Sequence, residues 1–115
     1  MFRFENLEIW KLAVTYSDDI YKITYRFPKD ELFGLTSQLR RAVISISANI
    51  AEGSGSDSRN DFKKFLNYAI RSNVEVISEL FIARQREFIS QEEFNYLYEK
   101  GEILVKKITA FKNKL

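Results

Sequence analysis

Glu75 and Glu79 stand one helical turn apart, the spacing at which two carboxylates can share a metal ion. Carboxylate centres in helix bundles also draw on Glu-x-x-His elements, and this chain has no His. Arg71 precedes Glu75 by four residues, so the expected setting of the pair is a solvated helical face. Gly53-Ser54-Gly55 comes just before a predicted helix start, where free backbone N–H groups can hold phosphate. The segment lacks the Gly-Lys-Ser/Thr ending of a phosphate-binding loop and follows a helix, not a strand. It therefore reads as an inter-helix linker. Cys is absent too, which removes thiol nucleophiles and disulfides together with most zinc and haem chemistry. The expectation is a non-enzyme with no cofactor, no metal and no small-molecule substrate.

Two stretches concentrate positive charge. Residues 59–71 carry Arg59, Lys63, Lys64 and Arg71 against Asp61, and residues 97–115 carry Lys100, Lys106, Lys107, Lys112 and Lys114 against Glu99 and Glu102. Each is locally +3. Such clusters hold phosphate backbones, and ordinary solvated helix faces look the same. Over the whole chain 18 Lys and Arg oppose 16 Asp and Glu, so the net charge is only +2. A third polar group lies on the predicted second helix. There, at about 100° per residue, Arg41, Ser45, Asn49 and Glu52 share roughly one quarter of the circumference beside the apolar face. A half-buried Asn needs partners for its amide, and a neighbouring Arg needs a carboxylate or carbonyl. This strip is expected to form a hydrogen-bonded network that fixes helix register or a subunit contact.

The elements that must position these residues are helical almost throughout. Apolar residues make up 45% of the 115 and charged residues 30%, with one Pro and four Gly. That is the balance of one folded domain, residues 1–115, without the turn residues of a β-sandwich. The first helix is predicted over about residues 6–25, with Leu7, Trp10, Val14, Ser17 and Tyr21 as its stripe, widened by Ala13 and Ile20. Asn6 would cap it and Pro28 would end it. The second, 35–52, buries Leu35, Leu39, Ala42, Val43, Ile46 and Ile50 and stops at Gly53. The third, 59–86, is capped by Ser58 and carries a wide stripe from Phe62 to Phe81 that includes Val74 and Ile77. The fourth, 91–114, opens with the capping box Ser90-Gln91-Glu92-Glu93 and carries Phe94, Leu97, Gly101, Leu104, Ile108, Phe111 and Leu115 at the spacing of an a/d seam.

Four helices with short connections predict an all-α fold, an antiparallel up-down four-helix bundle. The longest uncharged run, Ala42–Ala51, is ten residues, half of a membrane span, and no targeting segment is visible. The expected location is cytoplasmic. Ten Phe and six Tyr exceed what one small bundle readily hides, and Phe2, Phe4, Phe27, Phe33 and Phe88 lie off the main stripes. They either form a subunit interface or plug the bundle ends.

Phe27-Pro28-Lys29-Asp30-Glu31-Leu32-Phe33-Gly34-Leu35 leads into Gln38-Leu39-Arg40-Arg41-Ala42, and then into Asn49-Ile50-Ala51-Glu52-Gly53. With Leu7-Glu8-Ile9-Trp10-Lys11-Leu12-Ala13, these blocks resemble the four-helix-bundle proteins encoded by intervening sequences in bacterial 23S ribosomal RNA genes. The accessory variability proteins of diversity-generating retroelements are similar to the same pattern. The resemblance covers almost the whole chain and implies a bundle that assembles into a ring-shaped homopentamer. It implies no catalytic residues. The retroelement relatives bind nucleic acid and a reverse transcriptase through basic ring surfaces. Arg40, Arg41, Asn49 and Glu52 match the family's signature polar positions, with Gly53 beside them. Three positions depart from the pattern: Ser47 stands for a frequent Pro, Arg71 for a frequent Gly, and Glu87-Phe88 for a frequent Gly-Tyr.

The resulting expectation is a homo-oligomeric adaptor or RNA-binding protein. Its partners would be its own copies, in a pentamer, and structured RNA or a reverse-transcriptase-like protein. The nucleic-acid-binding candidates are Arg40, Arg41, Arg59, Lys63, Lys64, Arg71, Lys100, Lys106 and Lys107, with Asn49, Glu52 and Gly53 as a structural signature. The alternative is a protein-only scaffold that presents helix faces to a polymerase or another partner.

Overall fold

The apolar periodicity becomes four helices in the computed structural model, which describes residues 1–115. They are α1 (Glu8–Thr24), α2 (Leu35–Ser54), α3 (Arg59–Gln85) and α4 (Gln91–Asn113), with short 3-10 turns at Arg3–Asn6 and Lys29–Glu31. Side-chain contacts fix the topology. Ser17 Oγ donates to the Val43 carbonyl and Arg40 Nε to Thr24 Oγ1, so α2 runs antiparallel to α1. Ser72 Oγ donates to Ser45 Oγ at 2.9 Å while Gly53 lies on Phe62 and Phe65, so α3 reverses again. Lys112 reaches Asn67 and the Phe94 ring meets Phe81, which turns α4 back along α3. Ion pairs Lys107–Glu8 and Arg26–Glu93 then close α4 onto α1. The result is an up-down bundle of 43 × 23 × 21 Å with no strand. No helix is long and apolar enough to cross a membrane.

Local chemistry sets the helix ends. Ser90 Oγ accepts the Glu93 N–H and Glu93 accepts the Ser90 N–H, a complete capping box for α4. Ser58 accepts the Asp61 N–H and starts α3. Two expected boundaries shift. Asn6 lies in the 3-10 turn and does not cap α1, because Leu7 holds the N-cap position with no side-chain bond. Gly53 is not the stop of α2, which continues to Ser54. Gly53 is buried, and a Cβ there would lie 2.7 Å from Phe65 Cβ and 2.8 Å from Phe62 Cδ1. Its role is close approach of α3, not termination.

The core holds Ile20, Leu39, Ile46, Leu66, Leu80 and Leu104 among its fully buried side chains. In α2 and α4 the buried face is the expected one. In α1 it is so only in part: Ala13 and Ile20 face inward as expected, joined by Ile9, Tyr16 and Thr24, whereas Val14 and Tyr21 are 42% and 39% exposed. Both stripes have helical spacing, and periodicity alone does not say which one meets the bundle. In α3 Phe62, Leu66, Ala69 and Leu80 are buried as expected, but the inward face is rotated in its later half: Asn73, Val76, Glu79 and Ala83 are buried, while Val74 is 59% exposed. The surplus aromatics divide. Phe27 packs on Phe88 with ring centroids 5.4 Å apart and plugs one end, and Phe4 packs on Trp10, but Phe2 and Phe33 stay exposed.

Glu87, at the frequent Gly position, has φ 62°. Its N–H donates to the Arg84 carbonyl and the Phe88 N–H to the Ala83 carbonyl, the paired bonds that end α3. A side chain in this left-handed region costs about 1 kcal/mol. Glu87→Gly is therefore expected to raise stability by about 0.5–1 kcal/mol, read as a higher urea midpoint. Gly53→Ala should lower stability by about 1–3 kcal/mol, read as a lower urea midpoint, because the added methyl has no room between Phe62 and Phe65.

Candidate functional site

The polar strip of α2 forms one wall of an open groove between α2 and α3. Asn49 Nδ2 donates to the Ser45 carbonyl at 2.8 Å and to Ser45 Oγ at 3.0 Å, and Ser45 is bonded in turn by Ser72 of α3. The network therefore joins two helices of one chain, with Asn49 half-buried at its end. Beyond it the groove, about 460 Å³, is lined by Gln38, Arg41, Ser72 and Glu75. Arg41 is exposed and makes no ion pair within 4 Å, and Glu52 is exposed on the same helix. Ser72 carried no sequence signal of its own, since only the register of α3 on α2 pairs it with Ser45. Asn73 did carry one: it interrupts the spacing Ala69, Val76, Leu80 as the polar member of an apolar face.

The basic candidates separate by their partners. Arg40 is committed to the fold, with Nε on Thr24 Oγ1 at 2.9 Å and its guanidinium over the Tyr21 ring. Lys107 pairs with Glu8 at 3.3 Å and Lys106 lies 4.0 Å from Glu102. Lys100 rests over the Tyr96 ring. Arg59, Lys63, Lys64 and Arg71, all on α3, have no carboxylate within 4 Å. The four ion pairs that do form include no member of this group.

Height along the bundle matters more than position in the sequence. Tyr16 O–H donates to the Leu97 carbonyl at 2.9 Å, and Tyr16, Asn73 and Gly101 meet at the waist, level with Ser45–Ser72. One side of this waist holds residues 1–16, 45–72 and 101–115, with ten Lys and Arg against six Asp and Glu. The other half holds eight against ten. The total of +2 thus conceals halves of +4 and −2. The two sequence clusters are partly one: Arg59, Lys63, Lys64 and Arg71 share the basic half with Lys106, Lys107, Lys112 and Lys114, while Lys100 lies just across the waist.

The Glu75–Glu79 pair departs from expectation. Glu75 is exposed, but Glu79 is only 6% exposed, and its Oε1 has no hydrogen-bond partner. The rotated α3 face turns it toward the bundle. Burial, then the charge of Glu75 and a hydrogen bond with it, push the Glu79 carboxyl from 4.5 up to about 7. Between these values the folded chain holds a proton that the unfolded chain has released. Stability therefore falls as pH rises through that window. Glu79→Gln keeps the shape without titrating. It is expected to stabilise the protein by about 1 kcal/mol at pH near 8 and much less near pH 5, measured by urea unfolding at both. An equal shift at the two pH values would contradict this origin.

The sequence profile described as 23S rRNA-intervening sequence protein matches residues 5–110. A crystal structure of a protein with unknown function from the S23 ribosomal protein family, from Bacteroides thetaiotaomicron VPI-5482, superposes with a TM-score of 0.81. The alignment covers 90% of this chain and 97% of that one at 23% identity, so the likeness is one of fold. No curated protein matches. With the profile spanning all four helices, this chain belongs to the 23S rRNA-intervening sequence protein family.

Proposed function

We propose that the protein is a non-enzymatic helical scaffold that self-associates, as a homopentameric ring on the pattern of its family, and binds structured RNA through its basic half. The observation that carries the reading is the row of unpaired cations on α3. Arg59, Lys63, Lys64 and Arg71 are spread over 13 residues, roughly 18 Å of helix, with no carboxylate neutralising them. Unpaired cations of this kind can contact phosphates, and such backbone contacts need no buried pocket. Arg40 is left out of the contact set because its guanidinium holds α2 to α1. A protein-only scaffold is the second reading. It is favoured by apolar side chains left outside the core, Val74 and Phe81 among them.

Filter binding to a structured RNA separates the two. Four phosphate contacts predict retention at 50 mM salt that weakens on the order of a hundredfold at 200 mM. Lys63→Glu with Lys64→Glu should weaken binding to all sequences alike and flatten the salt dependence. No retention at 50 mM, or retention indifferent to the double substitution, would remove RNA from the account and leave the protein partner.

A further inference from the structure

Three cations from distant parts of the chain line one groove at the end of the basic half. Arg3 comes from the first 3-10 turn, Arg59 opens α3, and Lys114 stands at the C-cap of α4. The groove holds about 360 Å³ and is completed by Asp57, Ser58 and Phe62 among others. The Arg3 guanidinium lies 5.0 Å from the centre of the Phe62 ring, so an aromatic face holds it where a carboxylate could have done. None of the three cations forms an ion pair within 4 Å, with Asp57 or with any other carboxylate. The lining side chains sum to +2.

Like charges gathered around one concavity repel, and an anion between them relieves that cost. Neutral donors collect at the same place. Arg59 and Asn60 are the first two residues of α3, and neither backbone N–H has an acceptor within the protein. Ser58 Oγ accepts the Asp61 N–H, which leaves the hydroxyl proton of Ser58 free to donate. The hydroxyl of Ser56 is already spent, since it donates to the Gly53 carbonyl at 2.6 Å. Gly53, Ser54 and Gly55 do not line the groove, so the donors belong to the residues that follow the linker.

We propose that this groove is a phosphomonoester site, and that it takes the terminal phosphate of an RNA strand. A phosphomonoester carries about −1.5 to −2 charge near neutral pH, whereas an internal phosphate of the strand carries a single charge. The +2 of the groove matches the end of a strand better than its middle. Position agrees with charge. Arg59 is both a groove residue and the first of the α3 row that continues through Lys63, Lys64 and Arg71. A strand laid along that row reaches the three cations where the helix begins. Its terminal oxygens accept from Arg3, Arg59 and Lys114, from the Ser58 hydroxyl and from the two free N–H groups of α3. The inference rests on the RNA-binding reading for the body of the strand and adds a site for its end.

Inorganic phosphate tests the groove without RNA. Titrated into the nitrogen-15-labelled chain near pH 7.5, it should move the backbone amide signals of Arg59 and Asn60, while chloride at equal ionic strength should not. Arg3→Gln with Lys114→Gln changes two exposed residues, so it should keep the helical content and abolish that response. Phosphate that moves neither signal would overturn the groove as an anion site, whatever becomes of RNA binding. Filter binding then compares one structured RNA with a 5′-phosphate, with a 3′-phosphate, and with hydroxyls at both ends. One phosphorylated form should bind about tenfold more tightly than the hydroxyl form. In the Arg3→Gln, Lys114→Gln protein that ratio should fall to one, whereas Lys63→Glu with Lys64→Glu should weaken all three RNAs and leave the ratio standing. Equal retention of the three RNAs by the native protein would overturn the end site and leave RNA binding in place. A phosphate response with no RNA retained would overturn the strand as occupant and assign the groove to a small phosphomonoester.

Discussion

A methyl group at Gly101 would lie 2.7 Å from the Tyr16 hydroxyl and 2.8 Å from Ile77 Cδ1, so α4 passes this close to α1 and α3 only with a bare Cα there. The bare position lets Tyr16 reach across and donate to the Leu97 carbonyl, a bond buried within the bundle. Burial pushes the phenol well above its ordinary range, with the charge of Asp19 adding to the effect, so the hydroxyl stays a donor. One residue type thus sets the height of three helices relative to one another. That height decides which charges share an end and sets Asn73 beside Gly101 at the waist.

How much of this could be read from the chain differs by helix. α2 and α4 each carry one apolar face bounded by polar residues, and those faces are the buried ones. The capping box of Ser90 and Glu93 is equally local and equally legible. α1 and α3 carry two apolar rows each, one in the core and one packed only partly against it, so periodicity gave the rows without their assignment. Gly53 shows the same boundary between local and tertiary information. Its place before a Ser-Gly linker suggests a helix stop, yet the contact with Phe62 and Phe65 across the bundle is what requires glycine. Glu79 was expected in solvent with Glu75, which Arg71 precedes by one helical turn, and only the facing of α3 on the bundle turns one carboxyl inward.

The polar groups outside the core show a division of labour. Ser45, Asn49 and Ser72 satisfy one another and hold α2 on α3, and Arg40 does similar work between α1 and α2. Asn73 and one carboxylate oxygen of Glu79 are buried without a partner, at a cost in stability. The near-neutral total charge is likewise a poor guide, because longitudinal separation leaves a basic half whose α3 cations are free.

In the proposed function the chain acts through surfaces, with assembly and RNA binding belonging to one particle. Sedimentation velocity with a labelled structured RNA at 50 mM salt tests it most directly. The account predicts that the RNA sediments with a species several times the 13.6 kDa chain mass. RNA that travels with a single chain, or that does not move with the protein at all, would contradict it.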